Sequence, residues 1–314
     1  MGRDCGENKG LILTRSNGGI EWNTHFFSVG HALNDVDPID AKSAWIVGEG
    51  MTVLTTDNGG EQWHAQTTSP DERLGGVAFV NVAQGWAVSY EGSILATVDG
   101  GLTWSVQDEG FSWRLYDLHF VDDRHGWAVG GDWSAGTGLI LHTSDGGATG
   151  WYTQVVSAPN DLYSVHFLDT QRGWAVGGAG TVRMTIDGGM TWEARNSGTT
   201  EDLKGVFFVD ADHGWAVGHN GTIIASLDGG ETWTPQTSHT IRYLEDVYFV
   251  DAQHGWVVGN TGTLLVTSNG GATWSAQASP ISQYLKAVYF WDRQRGWAVG
   301  ANGVILSTSD GSKT

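Results

Sequence analysis

Arg73 and Arg114 each stand directly before a leucine, and Arg242 stands two positions before another. Near them fall Trp113, Tyr243, Tyr284 and, in an inserted stretch, Trp133; Asp161 and Asp202 occupy the same pre-leucine position in two further segments. Guanidinium groups grip carboxylates through paired, charge-assisted hydrogen bonds, and Arg, Trp and Tyr dominate binding energy at interfaces. Asp161 and Asp202 offer another chemistry, because glycoside hydrolysis uses two carboxylates about 5–10 Å apart. These nine residues are the candidate binding positions. His125, His213 and His254 recur at one position of a repeat and so fall on different structural units, which removes them as a joint metal site. Every Gly-Gly belongs to the repeat, leaving no phosphate-binding loop and implying neither a metal nor a cofactor.

What positions these residues is an internal repeat. A Gly-Trp-Ala-Val-Gly motif or close variant places tryptophans at 45, 86, 127, 174, 215, 256 and 297, in steps of 41, 41, 47, 41, 41 and 41. An Asp/Asn-Gly-Gly turn ends at Trp22, Trp63, Trp104, Trp151, Trp192, Trp233 and Trp274, with the same six steps. Each unit reads as four short strands: a Leu-x-x-Val-x-Phe stretch, the Trp-Ala-Val stretch, an apolar run and a strand after the second tryptophan. Four-stranded units of about 40 residues cannot bury both faces alone, and radial stacking into a propeller solves this. The expected fold is all-β: a seven-bladed propeller of four-stranded antiparallel blades, a single domain over 1–314. Insertion of Gly131–Gly138 falls between the second and third strands of one blade, as a decorated loop.

The ends do not tile evenly. Gly10–Thr14 and Gly303–Ser307 both read as third strands, giving eight for seven blades. We expect the N-terminal segment to supply third and fourth strands to the last blade, with segments 1–9 and 307–314 loose or used in ring closure. Pairing of the surplus strand with a second molecule is the competing arrangement; otherwise a monomer is expected.

Thirty-five acidic against 16 basic residues give a net charge of −19, which repels nucleic-acid phosphates and anionic membrane surfaces. No apolar run approaches the ~20 residues of a membrane helix. Cys5 is the only cysteine, so no intramolecular disulfide can form. Met1 to Gly10 are polar and unlike a signal peptide, so the chain is expected to be cytoplasmic or to have its export signal outside this sequence.

Thr97-Val98-Asp99-Gly100-Gly101-Leu102-Thr103-Trp104 and Ser226-Leu227-Asp228-Gly229-Gly230-Glu231-Thr232-Trp233 match the Asp-box of bacterial sialidases and many other propellers. Together with Gly-Trp-Ala-Val-Gly, they make the chain resemble the photosystem II assembly/stability factor family and its bacterial relatives, from Gly10 to Gly311. That resemblance implies a seven-bladed propeller that binds a partner protein in a lumenal or periplasmic setting. Asn17, Asn58, Asp99, Asp145, Asp187, Asp228 and Asn269 are the Asp-box positions, expected to cap turns rather than do chemistry. Asp-box turns then lie on one face, and the pre-leucine residues ring the mouth of the other.

Two classes of function stay open. One is a non-catalytic scaffold that binds a protein at that mouth. The other is a glycan-binding or sialidase-like glycoside-hydrolase propeller, whose Arg-Ile-Pro motif is absent from the sequence.

Overall fold

A computed structural model describes residues 22–26, 31–66, 72–108, 113–132, 136–154 and 158–308. Its strands form seven four-stranded antiparallel sheets, each one blade of a closed propeller. Blade 1 comprises Leu33–Pro38, Ala44–Gly48, Val53–Thr56 and His64–Gln66. Blades 2 to 6 follow in the same order, and blade 7 begins with Leu285–Phe290 and Gly296–Gly300.

Ring closure differs from the expectation. Blade 7 takes its third strand from the C-terminal end, Val304–Thr308, and only its fourth, Asn23–Phe26, from the N-terminal end. The C-terminal run follows Gly300 through one short turn, so it reaches the slot as its own hairpin partner. Gly10–Thr14, Asn17 and Trp133 lie outside the described residues.

Packing between blades explains the two tryptophan series. Six of the seven second-strand tryptophans lie flat on the phenylalanine that ends the next blade's first strand, among them Trp174 on Phe208 at 3.5 Å, Trp215 on Phe249 at 3.4 Å and Trp256 on Phe290 at 3.5 Å. The same phenylalanine meets the Asp-box tryptophan of its own blade edge-on, as Phe249 meets Trp274. Phe290 meets Trp22 in this way, which seats the N-terminal strand in blade 7. Indole N–H groups complete the layer, with Trp174 Nε1 donating to the Gly229 carbonyl at 2.9 Å in the next blade's Asp-box turn. Seven apolar clusters follow, each shared by two neighbouring blades, so no blade has a core of its own.

In the Asp-box turns, Thr103 donates to Asp99 through its backbone N–H at 2.9 Å and its hydroxyl at 2.6 Å, and the Thr97 hydroxyl donates to the same carboxylate. Asp145, Asp187 and Asp228 repeat this pattern. Asn58 and Asn269 keep the acceptor without the charge. The second glycine of the turn is obligatory for space as well as conformation. Gly230 has φ +91°, and a Cβ there would stand 2.3 Å from Trp174 Nε1. Gly230→Ala is therefore expected to destabilise the fold by about 2 kcal/mol. A lowered midpoint in a urea titration would register this, and an unchanged midpoint would show that the turn tolerates a side chain.

Candidate functional site

The seven first strands surround a central channel, and a cavity of about 300 Å³ opens within it. Its wall comes from the residue after each repeat leucine, below the pre-leucine residues. In every blade the pairing of first and second strands shifts register between the leucine and the residue two places on. A bulge of this kind leaves one residue unpaired and re-aims its side chain. That residue, directly after the leucine, faces the cavity: Asn34, Gly75, Tyr116, Tyr163, Lys204, Glu245 and Lys286 around the ring. Where blade 2 has only Gly75, the Tyr90 ring lies 3.1 Å from the place a Cβ would take.

One side of the wall is phenolic. Tyr90 and Tyr116 rings lie 5.7 Å apart, and Tyr116 and Tyr163 5.3 Å apart. Lys204 Nζ sits 3.4 Å from the Tyr163 ring centroid, a close cation–π contact. The other side is ionic: Tyr284 donates its hydroxyl to Glu245, and Lys286 donates to Asn34 Oδ1 at 2.7 Å. Burial raises the Glu245 carboxyl above its usual range, opposed by the Tyr284 hydroxyl and the two lysines. Burial likewise lowers both lysines, while Glu245 works against it. The Tyr163 phenol is pushed up to about 12, by burial first and then by Asp202 and Asp161.

One residue further along, Asp35, Asp117 and Asp246 clamp neighbouring blades. Asp246 accepts the Val247 N–H with one oxygen and the Val288 N–H of blade 7 with the other, both at 2.8 Å. Asp35 bridges Val36 and Val77, and Asp117 bridges Leu118 and Val165, in the same way. Asp37 accepts the Phe79 N–H across the first junction. Burial lifts these carboxyls far above the ordinary range, against the pull of the N–H donors: Asp35 to about 6, Asp37 and Asp117 to about 7, Asp246 to about 8. Towards the Asp-box face follows an aromatic girdle of His119, His166, Phe207, Tyr248 and Tyr289, with successive rings 4.4–4.8 Å apart.

The pre-leucine residues form the rim above this cavity, tied down in six blades through their carbonyls to the turn after the Trp-Ala-Val strand, as when Tyr90 N–H donates to Arg73 O. Arg73 has a side chain 53% exposed, pairs with Glu91 at 2.8 Å and lies over the Tyr90 ring. Asp161 accepts from the Tyr116 hydroxyl at 2.9 Å, and Arg114 hydrogen-bonds the same tyrosine. Asp202 accepts the Ala179 N–H at 2.9 Å and lies 3.6 Å from Lys204 Nζ. Tyr243 stacks on His219 at 4.2 Å and stays 44% exposed. Tyr284 reaches into the cavity itself.

Two residues are placed elsewhere. Arg242 donates to the Thr261 carbonyl at 2.9 Å and borders a separate groove between the loops of blades 5 and 6. Trp113 is part-buried against the core shared by blades 2 and 3. The insertion does not make a simple loop here. It lengthens three strands of blade 3, so Trp113 and Arg114 pair with Asp132 and Gly131 as strand residues. His125, His213 and His254 each hold the aspartate three residues before them in a tight turn. Among the described residues, no three His, Cys, Asp or Glu side chains converge as metal ligands.

Residues 237–314, which include blade 6 and three of the four strands of blade 7, match the family model described as photosynthesis system II assembly factor YCF48. No curated protein sequence matches the chain. Among solved structures, YCF48 bound to a D1 peptide is similar with a TM-score of 0.76 and 23% identity, covering 95% of this chain and 99% of that one. YCF48 from Cyanidioschyzon merolae follows at 0.74 and 21%, over 91% and 98%. An ancestral GH74 enzyme shares the architecture at 0.70 and 14%, over 94% of this chain and 46% of its own. Identities this low speak for the fold alone. The chain is therefore a seven-bladed Asp-box propeller, similar in fold to YCF48 and matching the YCF48 family model over residues 237–314.

Proposed function

We propose that this propeller is a non-catalytic scaffold that captures a peptide segment of a partner protein across its mouth. One observation carries the reading: the repeat relaxes at the rim, and there the chain sets Arg73, Arg114 and Tyr243 around a polar opening. Arg73 is pre-oriented by Glu91 and Tyr90, so a peptide carboxylate can exchange with Glu91 at little entropic cost. Structural similarity to YCF48 bound to a D1 peptide supports a peptide as the ligand. An assembly-factor role, in the exported setting of the family, follows from that reading.

Binding of a peptide with a free C-terminal carboxylate, followed by fluorescence polarisation, tests it. Arg73→Ala with Arg114→Ala is expected to weaken capture at least tenfold, while Asp187→Ala on the opposite face leaves it unchanged. A response to the Asp-box change alone would place the interface on the wrong face for this reading. Turnover of a sugar substrate, abolished by Asp161→Asn or Asp202→Asn, would replace the scaffold with a glycoside hydrolase.

A further inference from the structure

The cavity below the rim presents a chemistry that peptide capture at the mouth does not use. Its wall carries Tyr90, Tyr163, Lys204, Glu245, Lys286 and Asn34 around about 300 Å³, the lower end of the volume range of small-molecule sites. We propose that this cavity binds a neutral polyhydroxylated ligand of monosaccharide size.

Charge decides the class. A carboxylate or phosphate entering towards Lys204 and Lys286 meets Glu245 on the strand between them and Asp202 beside Lys204. An ammonium or guanidinium entering towards those carboxylates meets the two lysines. Lys204 already occupies the cation–π position over Tyr163, so that face is filled against a second cation. A full charge of either sign therefore gains one partner and loses to another in a site too narrow to separate them. Hydroxyl groups have no such conflict, since each donates to a carboxylate or amide oxygen and accepts from an ammonium.

Shape and unused valence agree. Tyr90 and Tyr116, whose rings line the phenolic half beside the Lys204-covered Tyr163, offer part-buried aromatic surface against which the C–H face of a pyranose can pack, as aromatic rings do with apolar groups. Among the described residues, the Tyr90 and Tyr163 hydroxyls take no protein hydrogen bond, although both tyrosines line the cavity. Tyr116 and Tyr284, by contrast, are spent on Asp161 and Glu245. Two free phenols facing a pocket of ammonium, carboxylate and amide groups form a hydrogen-bonding surface that water or a polyol completes. Among the described residues the mouth is open above it, so entry needs no movement of the blades.

The test is calorimetric titration of the whole chain with glucose, galactose, mannose and N-acetylglucosamine, with acetate and ethylammonium as charged probes of smaller size. Saturable binding of at least one sugar is expected, tighter than either charged probe by tenfold or more. Tyr163→Phe, which keeps the ring and removes one hydroxyl, is expected to weaken it about threefold to tenfold, and Glu245→Gln tenfold. A thermal melt on each variant separates loss of binding from loss of fold. No saturable sugar binding, tighter binding of a charged probe, or sugar affinity indifferent to both substitutions in folded protein would overturn the proposal. Arg73→Ala with Arg114→Ala removes no residue that lines the cavity, and Tyr163→Phe and Glu245→Gln keep both rim arginines, so failure of peptide capture and failure of sugar binding are separately visible.

Discussion

Trp215→Ala is expected to destabilise the propeller by about 3–5 kcal/mol, the usual range for deleting a buried tryptophan. Trp215 is fully buried, lies flat on Phe249 of the next blade at 3.4 Å, and donates its indole N–H to the Gly270 carbonyl. Truncation opens a cavity at a junction between blades, where neither blade can collapse independently. Trp297→Ala provides the contrast. Its place in the repeat is the same and it is also buried, but the residue ending the next blade's first strand is Pro38 rather than phenylalanine. Its indole Nε1 has no hydrogen-bond partner among the described residues. Without a stacked ring, about 0.5–1.5 kcal/mol, and an indole hydrogen bond, about 1 kcal/mol, its loss should be smaller by roughly 2 kcal/mol. Urea denaturation of the two variants beside the parent protein measures this directly. Equal losses would mean that burial alone, and not the Trp–Phe layer, sets the strength of a junction.

Stability is expected to peak in mildly acid solution and to fall as the pH rises from about 5 to 8. Asp35, Asp37, Asp117 and Asp246 have native carboxyls raised by burial to between about 6 and about 8, against 3.8 when unfolded. Between those limits the native state holds more protons than the unfolded chain, so raising the pH favours unfolding. Above about 8 both states have lost these protons and the effect levels off. Below about 4 the sign reverses, because Asp187, Asp228 and Asp251 have carboxyls lowered by hydrogen bonds that outweigh their slight burial, and their contribution disappears as they protonate. A shift of one pH unit is about 1.4 kcal/mol per group, so four groups make a change of several kcal/mol, visible as a melting temperature that drops across the range. Asp246→Asn separates clamp from charge. One amide oxygen cannot serve both the Val247 and Val288 N–H groups, so the variant is less stable at pH 5, yet its stability should vary less with pH. A melting temperature flat from pH 5 to 8 in the parent protein would mean that these carboxylates stay ionised and are held by their N–H donors despite burial.

Strand count, blade count and the Trp–Phe layering are legible in the sequence because they depend on local spacing repeated seven times. A period of 41 with tryptophans in fixed register leaves one way to bury both faces of each sheet. The Asp-box turns are legible for the same reason, since Asp99 and Thr103 meet within one turn and need no distant partner. Ring closure is not local. Gly303–Ser307 and Gly10–Thr14 carry equivalent patterns, and only the short connection from Gly300 selects Val304–Thr308 for the slot.

The functional surface divides along the same line. The rim could be found from the residues before each leucine, since that is where the repeat relaxes. Residues of the cavity wall stand only two positions away, but strict strand alternation points them into the sheet stack. The bulge after each leucine turns Tyr116, Tyr163, Lys204, Glu245 and Lys286 into the channel, and a bulge has no mark in these sequences beyond the variability of the position itself. Pairing across the ring, such as Lys286 with Asn34, joins residues from opposite ends of the chain. Repetition alone therefore sets the architecture, because each unit needs the same neighbour. The chemistry at the centre arises only on closure, when seven different side chains from one repeated position are brought into a single cavity.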